Sequence, residues 1–475
     1  MDILRKRTWL AIFALCFIYW VYLIFHTKMA VIFDASEYES AGRLIYQNGW
    51  IDFFKTGPHR EPLYPALIAF SMGWANFFST DYQIILKVFQ VALLLFTQSL
   101  LFLLLRKLKL REGVNMVAVL YYGISPALIN ATFSLFGEII VFPWVVAVVL
   151  LSDSLWSDIG QKGKHGFFLA KAVLLGACFS LLVFGRGIFL YVFSFFMLPF
   201  CLWVFLALYK RRGLILLRLL LLLSAASLTF YSLSAQIKVM NLRYNGEYGL
   251  GASRLDILLG SAYKRSQPVN WRIVASHIAS IPGNGVCRMF FSQQECDYAD
   301  WYGSDQFRVT EVARRIEAIP KARRGQEILI LTAGKITGHP FQFCFFSVVE
   351  ALKMPFWEST QIAYVTYPEF LTKVYDNPLI RFGLRFFFGL VSAFSFIFVT
   401  FKLWRKRGEC FMAKEGQRDT SLLFFVWLMI TAYTLSYSSC YVVTRYALPI
   451  VSMFVICICF TVNEIIKPGK LNRRG

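Results

Sequence analysis

Residues 28–65 form the part of the chain in which side chains capable of acid–base chemistry are most concentrated. The stretch follows the first long apolar segment and interleaves acids and bases with aromatic residues. Its ionisable residues include Asp34, Glu37, Glu39, Arg43, Asp52, Lys55, His59, Arg60 and Glu61. A carboxylate held near a hydroxyl group can accept its proton, and a guanidinium can hold an anion. Such a composition beside an apolar segment is typical of a site at a membrane surface.

Asp34 has two interpretations. As a general base, it would take the proton of an acceptor hydroxyl. As a helix N-cap, it would form a capping box with Glu37, three residues later, ahead of a helix predicted over 36–48. The residues alone leave both interpretations open. Glu37 is the second candidate catalytic carboxylate, although it and Glu39 are also suited to capping or solvation, because all three acids cannot point to one place on a helix.

Arg60 and its neighbour His59 directly precede EPLYP at 61–65, a turn restricted by two prolines. A guanidinium here can grip a phosphate through two parallel hydrogen bonds at the level of the lipid headgroups. Ordinary anchoring to anionic lipid is the alternative. Both residues are therefore candidates for binding a phosphate.

Three further ionisable residues lie at the ends of later apolar segments. Glu138 opens one segment, Arg186 lies between two, and Arg445 stands in TRYALP before the last. Ionisable groups near bilayer depth are functional candidates by default. A mutual ion pair of Glu138 and Arg186 is the structural alternative, and for Arg445 phosphate binding and a structural pair are both open.

The composition is that of a polytopic membrane protein. The 475 residues are 57% hydrophobic, which is more apolar surface than a soluble protein can hide. The net charge of +21 is explained by basic residues in short cytoplasmic loops, and their scatter along the chain argues against nucleic-acid binding. The basic residues 5–7 precede about 20 apolar residues without a small-residue cleavage site, which predicts a signal anchor.

Spans of about 20 apolar residues predict roughly ten membrane crossings, with both termini in the cytoplasm. The predicted spans are 8–27, 84–105, 114–131, 138–152, 169–185, 187–207, 214–235, 380–403, 420–441 and 450–466. The apolar stretch 62–80 is interpreted as an interfacial helix, because a crossing there would place the basic loop 106–113 outside. Basic loops at 106–113, 209–213 and 405–418 support this orientation.

The same pattern predicts three parts. The first is an N-terminal transmembrane module, 1–235, whose first external loop, 28–83, holds the candidate site. The second is an external domain, 236–379, which ends in an amphipathic interfacial helix at 339–357. The third consists of the C-terminal transmembrane helices, 380–475. If the domain is exported, a disulfide between Cys287 and Cys296 is expected, since both lie in its polar loop. Most of the other cysteines lie in apolar spans, as small buried hydrophobes.

The chain contains no Walker motif, no glycine-rich phosphate cradle, no HExxH and no serine nucleophile elbow. The missing nucleotide motifs indicate a donor that is already activated and carried by the membrane.

Taken in order, these pieces resemble the GT-C superfamily of integral membrane glycosyltransferases. The similarity is to the bacterial branch related to protein O-mannosyltransferases and to the aminoarabinose transferase that modifies lipid A. The residues that carry it are Asp34 with Tyr38 after the first span, HREPLYP with Tyr64, Glu138, Arg186, His339-Pro340 and Arg445-Tyr446.

The resemblance implies a GT-C-type bundle of about ten helices, a polyprenyl-phosphate-linked sugar donor and inverting transfer to a hydroxyl of a glycan, lipid or protein acceptor. It assigns Asp34 as base or acceptor-orienting group, and Arg60, with His59, Arg186 and Arg445, to the lipid phosphate. Tyr38, Tyr64, Glu138 and His339 would line the site. No cofactor is expected, and Ala35, where relatives often carry a second acid, leaves no carboxylate pair for a metal. The expected location is a bacterial inner membrane, with the site facing the periplasm.

Two other classes of protein share parts of this pattern. A transporter or flippase of lipid-linked saccharides would place polar residues throughout its spans and often contains repeated halves. An O-antigen ligase or polymerase also combines a long external loop with arginines. The nearly charge-free spans argue against the first, and the acid directly after the first span argues against the second.

Overall fold

The computed structural model describes residues 2–57, 59–159, 165–210, 213–251, 255–299, 311–359, 364–406 and 418–467. Over these residues the protein is almost entirely helical. Among the described residues, nine helices are long and apolar enough to cross a membrane, or ten if one bent pair is counted as a single span. The predicted all-α polytopic architecture is therefore confirmed, and the number agrees with the ten spans expected. Most of the basic loop predicted at 405–418 lies outside the described residues.

The described part of the N-terminal half contains eleven α-helices. They are α1 (Asp2–His26), α2 (Asp34–Asn48), α3 (Trp50–Lys55), α4 (Leu63–Phe78), α5 (Tyr82–Lys107), α6 (Glu112–Ile124), α7 (Pro126–Phe133), α8 (Phe142–Asp158), α9 (His165–Gly185), α10 (Phe189–Tyr209) and α11 (Gly213–Asn245). A short 3₁₀ turn, Ile139–Val141, precedes α8.

A connecting region of short helices follows between α11 and the last three long helices. Its helices are α12 (Leu255–Arg265), α13 (Trp271–Ala279), α14 (Asn284–Phe290), α15 (Gln293–Ala299), α16 (Glu311–Glu317), α17 (Lys321–Gly338), α18 (Pro340–Ala351) and α19 (Glu369–Asp376). The chain then forms α20 (Pro378–Arg405), α21 (Arg418–Ser438), a 3₁₀ segment (Thr444–Ile450) and α22 (Val451–Ile466).

The long helices begin and end where local chemistry favours it. Asp81 caps α5 by accepting a hydrogen bond from Gln83 N at 2.9 Å, and Arg106 and Lys107 stand in its last turn, where cations offset the helix dipole. The apolar helix α4 has 16 residues, about 24 Å of length, which is short of the roughly 30 Å hydrocarbon core. This helix coincides with the apolar stretch 62–80, which was predicted to lie at the interface and not to span the membrane.

Three elements differ from their predicted bounds. The predicted helix 36–48 begins at Asp34, and the predicted span 114–131 is bent by 41° between α6 and α7, where Pro126 cannot continue the backbone hydrogen bonding. Glu358, in the connecting region between α11 and α20, stabilises the bend, because its carboxylate accepts hydrogen bonds from Ser125 Oγ at 2.8 Å and from Ala127 N at 2.9 Å. Helix α11 continues to Asn245, so the domain boundary predicted at 235 falls inside a helix.

The core lies among the long helices, and α8 and α22 are its most buried members. The helices α2 and α4, which flank the candidate site, pack closely because Gly42 has no side chain. A Cβ at this position would lie 2.5 Å from Ile68 Cγ2. The connecting region has a small core of its own around Leu259 and Ile328, and a disulfide joins Cys287 and Cys296.

Only two short strands occur in the described residues, and they pair with each other. β1 (Lys28–Met29) runs antiparallel to β2 (Val365–Thr366), with Lys28 opposite Thr366. This pairing ties the segment after α1 to the end of the connecting region.

The predicted orientation can be tested at two exposed positions. In a background with Cys344→Ser and Cys410→Ser, which removes the exposed free cysteine of the described residues and the cysteine of the basic loop predicted at 405–418, Glu369→Cys in α19 should react with an impermeant maleimide in intact spheroplasts. Lys467→Cys, after α22, should react only once the membrane is permeabilised, because the positive-inside bias keeps that end in the cytoplasm. The reverse pattern of labelling would invert the orientation.

Candidate functional site

Asp34 is held in place by the structure on both sides of it. Before it, β1 pairs with β2, and the Gln83 side chain accepts from Met29 N at 3.1 Å and donates to Met29 O at 3.3 Å. Phe33, directly preceding, has φ = 51°, a left-handed conformation that is uncommon for a bulky residue. Backbone strain of this kind is found most often at functional sites.

The carboxylate of Asp34 lies between two guanidiniums from distant parts of the chain. Arg60 Nη2 donates to Oδ1 at 2.7 Å, and Arg445 Nη2 donates to Oδ2. The capping interpretation of Asp34 is therefore wrong. Asp34 is the first residue of α2, the N-cap position is held by Phe33, and no side chain forms a capping hydrogen bond there. Its carboxylate serves two arginines instead of backbone N–H groups.

Glu37 also belongs to this arrangement, as the exposed member. Its Oε2 accepts from Arg60 Nε, while 62% of its side chain is accessible, against 22% for Asp34. Arg60 thus bridges both predicted carboxylates. An exposed ion pair contributes little free energy, so the contact of Glu37 is the one that another anion displaces most readily.

Glu138 and Arg186 form a buried ion pair behind this surface layer. Arg186 Nη2 donates to Glu138 Oε1, and only 2% of the Glu138 side chain is exposed. Arg445 connects the two layers, since its Nε lies 3.9 Å from the same oxygen of Glu138. Six residues, Glu37, Arg60, Asp34, Arg445, Glu138 and Arg186, thus alternate in charge, and we call them the ionic chain.

Aromatic rings surround the ionic chain. The Arg60 guanidinium lies over the ring of Tyr38 at 5.2 Å, and Tyr38 meets Tyr64 edge to face at 5.1 Å. Arg445 lies over Phe136 at 4.8 Å. Such contacts attract cations and hold their planes in place.

Several buried polar atoms of this site have no hydrogen-bond partner among the described residues. They are the Tyr38 hydroxyl, Glu138 Oε2 and Arg186 Nε. Buried polar groups in native proteins are nearly always satisfied, so a cluster of exceptions points to a bound molecule or water. The site is therefore built to receive polar groups.

Two of the predicted site residues lie apart from the ionic chain. The His59 ring faces α3, with Nε2 2.9 Å from Thr56 Oγ1 and the ring 4.8 Å from that of Phe53. Burial lowers the pKa of His59 below its ordinary value. His339 is exposed at the junction of α17 and α18.

Other residues contribute although the sequence did not single them out. Gln90 Nε2 donates to the Tyr64 hydroxyl at 2.9 Å, and Glu61 Oε1 accepts from Gly187 N at 2.8 Å, beside Arg186. The Tyr433 hydroxyl donates to Tyr446 O at 2.8 Å. Gln90 had a signal that could have been used, because a polar amide inside an apolar span needs a partner.

The segment that carries Arg445 is held by the connecting region. Arg265 of α12 donates to Ser439 O at 3.1 Å and to Cys440 O at 2.5 Å. Glu350 of α18 accepts from Val442 N at 2.6 Å. These bonds satisfy backbone groups just before Arg445 and set the direction from which its side chain reaches Asp34.

Glu350 itself is buried and paired. It accepts from Lys353 Nζ at 2.7 Å, and His277 Nε2 lies 3.0 Å away. Burial alone would raise the pKa of Glu350, but Lys353 and His277 outweigh it and hold the pKa well below its usual range. Burial lowers the pKa of His277 to about 4, so this imidazole is neutral at pH 7.

No protein-family model and no curated protein matches the sequence. Among solved structures, the chain is similar to the archaeal oligosaccharyltransferase AglB from Archaeoglobus fulgidus, in complex with an inhibitory peptide and a dolichol-phosphate (TM-score 0.45, 13% identity, 96% of this chain and 50% of that chain). A second structure of the A. fulgidus oligosaccharyltransferase, with Zn and sulfate, gives a TM-score of 0.44 at 13% identity, covering 95% and 49%. ArnT from Cupriavidus metallidurans in the apo state gives 0.35 at 10% identity, covering 92% and 78%. The chain spans about half the length of the A. fulgidus enzyme.

The support of the Arg445 segment can be tested through Glu350. Glu350→Ala removes the carboxylate that accepts from both Lys353 and Val442 N, and breaking a buried pair in this way costs about 3–5 kcal/mol. We expect a clear fall in the thermal unfolding midpoint, followed by tryptophan fluorescence in detergent. Glu369→Ala, which removes the exposed pair with Lys373, is the control and should leave the midpoint unchanged. Equal midpoints for the two variants would show that Glu350 does not hold the segment.

Proposed function

We propose that the protein is a glycosyltransferase of the GT-C type. In this proposal it transfers a sugar from a polyprenyl-phosphate-linked donor to a hydroxyl of an envelope acceptor (a lipopolysaccharide, another glycan or a protein). The reaction takes place on the periplasmic face of a bacterial inner membrane. The observation that carries the proposal is the carboxylate of Asp34, at the start of α2, held between Arg60 and Arg445.

The arginines of the ionic chain suit a phosphate. The donor's phosphodiester would replace Glu37 on Arg60, the exchange that the exposure of Glu37 makes least costly. Some of the N–H groups of Arg445 would turn from Asp34 toward the same phosphate, since a guanidinium binds phosphate oxygens through two parallel hydrogen bonds. Positive charge would then stand where the leaving group becomes negative.

The polyprenyl chain needs an apolar path to the same point. Val31, Ile32 and Phe33, directly before Asp34, are large hydrophobic residues with exposed side chains. An exposed apolar patch of this kind is typical of a surface that meets lipid. It would place the isoprenoid beside the phosphate and Asp34 beside the first sugar.

The chemical step follows from these positions. The acceptor's hydroxyl oxygen attacks the anomeric carbon from the side opposite the phosphate, and its proton passes to an Asp34 carboxylate oxygen. The bond between the anomeric carbon and the phosphate oxygen breaks, and its electron pair stays on the polyprenyl phosphate. A single displacement of this kind inverts the configuration at the anomeric carbon.

The ionic chain also links donor binding to basicity. Burial alone would raise the pKa of Asp34, but the charges of Arg445 and Arg60 outweigh it and lower the pKa below its usual value. A carboxylate held this way is a weak base while the site is empty. When the donor phosphate draws the arginines away, the pKa of Asp34 rises and the carboxylate becomes a better proton acceptor.

Asp34→Asn tests the proposed function. Removal of a general base costs about a hundred- to ten-thousandfold in rate, so sugar transfer in proteoliposomes should fall by that factor. Binding of the donor should be retained or strengthened, because the competing anion is gone. Glu37→Gln should keep most activity, since it removes only an exposed contact.

The outcomes separate the possibilities. Full transfer by Asp34→Asn would show that Asp34 is not the general base. Loss of transfer in Glu37→Gln alone would show that Glu37 is the general base. Movement of a lipid-linked saccharide across the bilayer without formation of a glycosidic bond would instead show a transporter or flippase.

The pH profile tests the link between the donor and Asp34. Because a carboxylate that loses positive neighbours titrates at a higher pH, the acid limb of kcat, which reports the substrate-bound site, should lie at higher pH than the acid limb of kcat/KM for the donor, which reports the free site. The donor phosphodiester does not titrate in this range. Coincident limbs would show that the arginines stay on Asp34 during turnover.

A further inference from the structure

Arg385 is a cation that forms no ion pair with a carboxylate among the described residues. It lies in the second turn of α20, and its Nη2 donates to Thr444 Oγ1 at 2.5 Å. Its Nε is sealed from solvent and has no hydrogen-bond partner among the described residues. No described carboxylate forms an ion pair with it, whereas Arg381, one turn earlier, pairs with Asp376 at 3.0 Å.

The surroundings of Arg385 leave room for its guanidinium. A Cβ at Gly283, in the turn between α13 and α14, would lie 2.7 Å from Arg385 Nη1, and Gly283 has φ = 131°. A side chain there would collide with the guanidinium and would strain the backbone. Three separate segments, α20, the Gly283 turn and Thr444, therefore meet at this cation.

A mostly buried cation without a counter-ion is costly in a protein. Helix α20 has 28 residues, about 42 Å, so it extends about 12 Å beyond a hydrocarbon core of roughly 30 Å. Arg385 lies about 10 Å from the start of the helix, within this excess length, and the ends of spanning helices lie at the level of the lipid headgroups. Phosphate groups are the anions that are abundant at this depth.

The position of Thr444 connects Arg385 to the site. Thr444 directly precedes Arg445, whose guanidinium contacts Asp34. The hydroxyl that receives a hydrogen bond from Arg385 can donate its own proton to an anion, and the planar guanidinium has further N–H groups to offer. Arg385 is thus hydrogen-bonded to the residue that directly precedes the cation to which the donor phosphate is assigned.

We propose that Arg385 and Thr444 form a second anion subsite, which binds a phosphate group next to the one held by Arg445. The proposal rests on the proposed function, because it extends the same site. Two sources supply this chemistry. One is a second phosphoryl group of the donor, which would make its linkage a diphosphate in place of the single phosphate assigned above, and the other is the headgroup phosphate of a neighbouring anionic lipid.

The test uses the full chain in nanodiscs and two short prenyl probes, farnesyl phosphate and farnesyl diphosphate. Arg385→Gln removes the charge but retains an N–H donor for Thr444, so the segment should stay in place. Arg381→Gln is the matched control on the same helix. A thermal midpoint of Arg385→Gln in neutral lipid that is no lower than that of the wild type checks that the variant folds, because loss of an unpaired charge should not destabilise it. Arg385→Lys keeps the charge but has fewer N–H donors, so it should retain part of the wild-type response.

In neutral phosphatidylcholine discs, a diphosphate-linked donor predicts that the wild type binds farnesyl diphosphate about tenfold or more tightly than farnesyl phosphate, the strength of a charge-assisted contact. Arg385→Gln should lose this preference and Arg381→Gln should keep it. A lipid headgroup predicts instead that phosphatidylglycerol raises the thermal midpoint of the wild type and of Arg381→Gln, but not that of Arg385→Gln.

Either pattern supports the subsite and identifies its source. If Arg385→Gln and the wild type respond alike to both probes and to phosphatidylglycerol, the subsite is overturned and Arg385 only fastens Thr444. If the wild type binds neither farnesyl probe while phosphatidylglycerol still acts through Arg385, the proposed donor fails and the subsite stands.

Discussion

The ion pair that Asp34 forms with Arg60 and Arg445 is the interaction on which the arrangement of the site depends. Each of these groups is largely withdrawn from water, and a charge in such a place requires a partner. The partners of Asp34 lie 26 and 411 residues away along the chain. The pairing is satisfied only when the start of α2, the residue before the EPLYP turn and the segment before α22 meet. The bundle of long helices makes that meeting possible.

The same interaction limits what the empty site can do. A carboxylate between two guanidiniums is stable and weakly basic, so it is well placed but poorly suited to take a proton. An anion that competes for the guanidiniums changes both properties together. In the proposed reaction, donor binding and proton transfer would thus be coupled through the hydrogen bonds that Arg60 and Arg445 share between Asp34 and the phosphate. The exposed Glu37 makes this exchange less costly, because it can leave Arg60 without burying or stranding a charge.

Much of the architecture follows from the sequence because apolar length is a strong signal in a membrane protein. The all-α architecture and the number of spans were predictable, and α5 ends within two residues of its predicted bounds. Ionisable residues at the ends of spans are also visible, which is why Asp34, Arg60, Glu138, Arg186 and Arg445 could be selected. Their assigned roles stay predictions.

Other features could not be predicted because they arise from long-range contacts. The Asp–Glu spacing at 34 and 37 is typical of a capping box. In the structure, however, the Asp34 carboxylate accepts hydrogen bonds from Arg60 and Arg445 and caps no helix. Nothing local indicates that Phe33 adopts a positive φ or that the His59 ring turns to Thr56. Pro126 made a bend predictable, but the hydrogen bonds that satisfy the backbone there come from Glu358, which lies 231 positions beyond Ala127.

The connecting region acts on both sides of the central ion pair. Its β2 strand pairs with β1, five residues before Asp34, and its Arg265 and Glu350 hold the backbone just before Arg445. A displacement of this region would therefore change the distance between Asp34 and Arg445 from both ends at once. A rigid attachment on only one side would let the two residues drift apart while leaving each segment intact. The two attachments together keep the carboxylate and its arginine in register, although they lie at opposite ends of the chain.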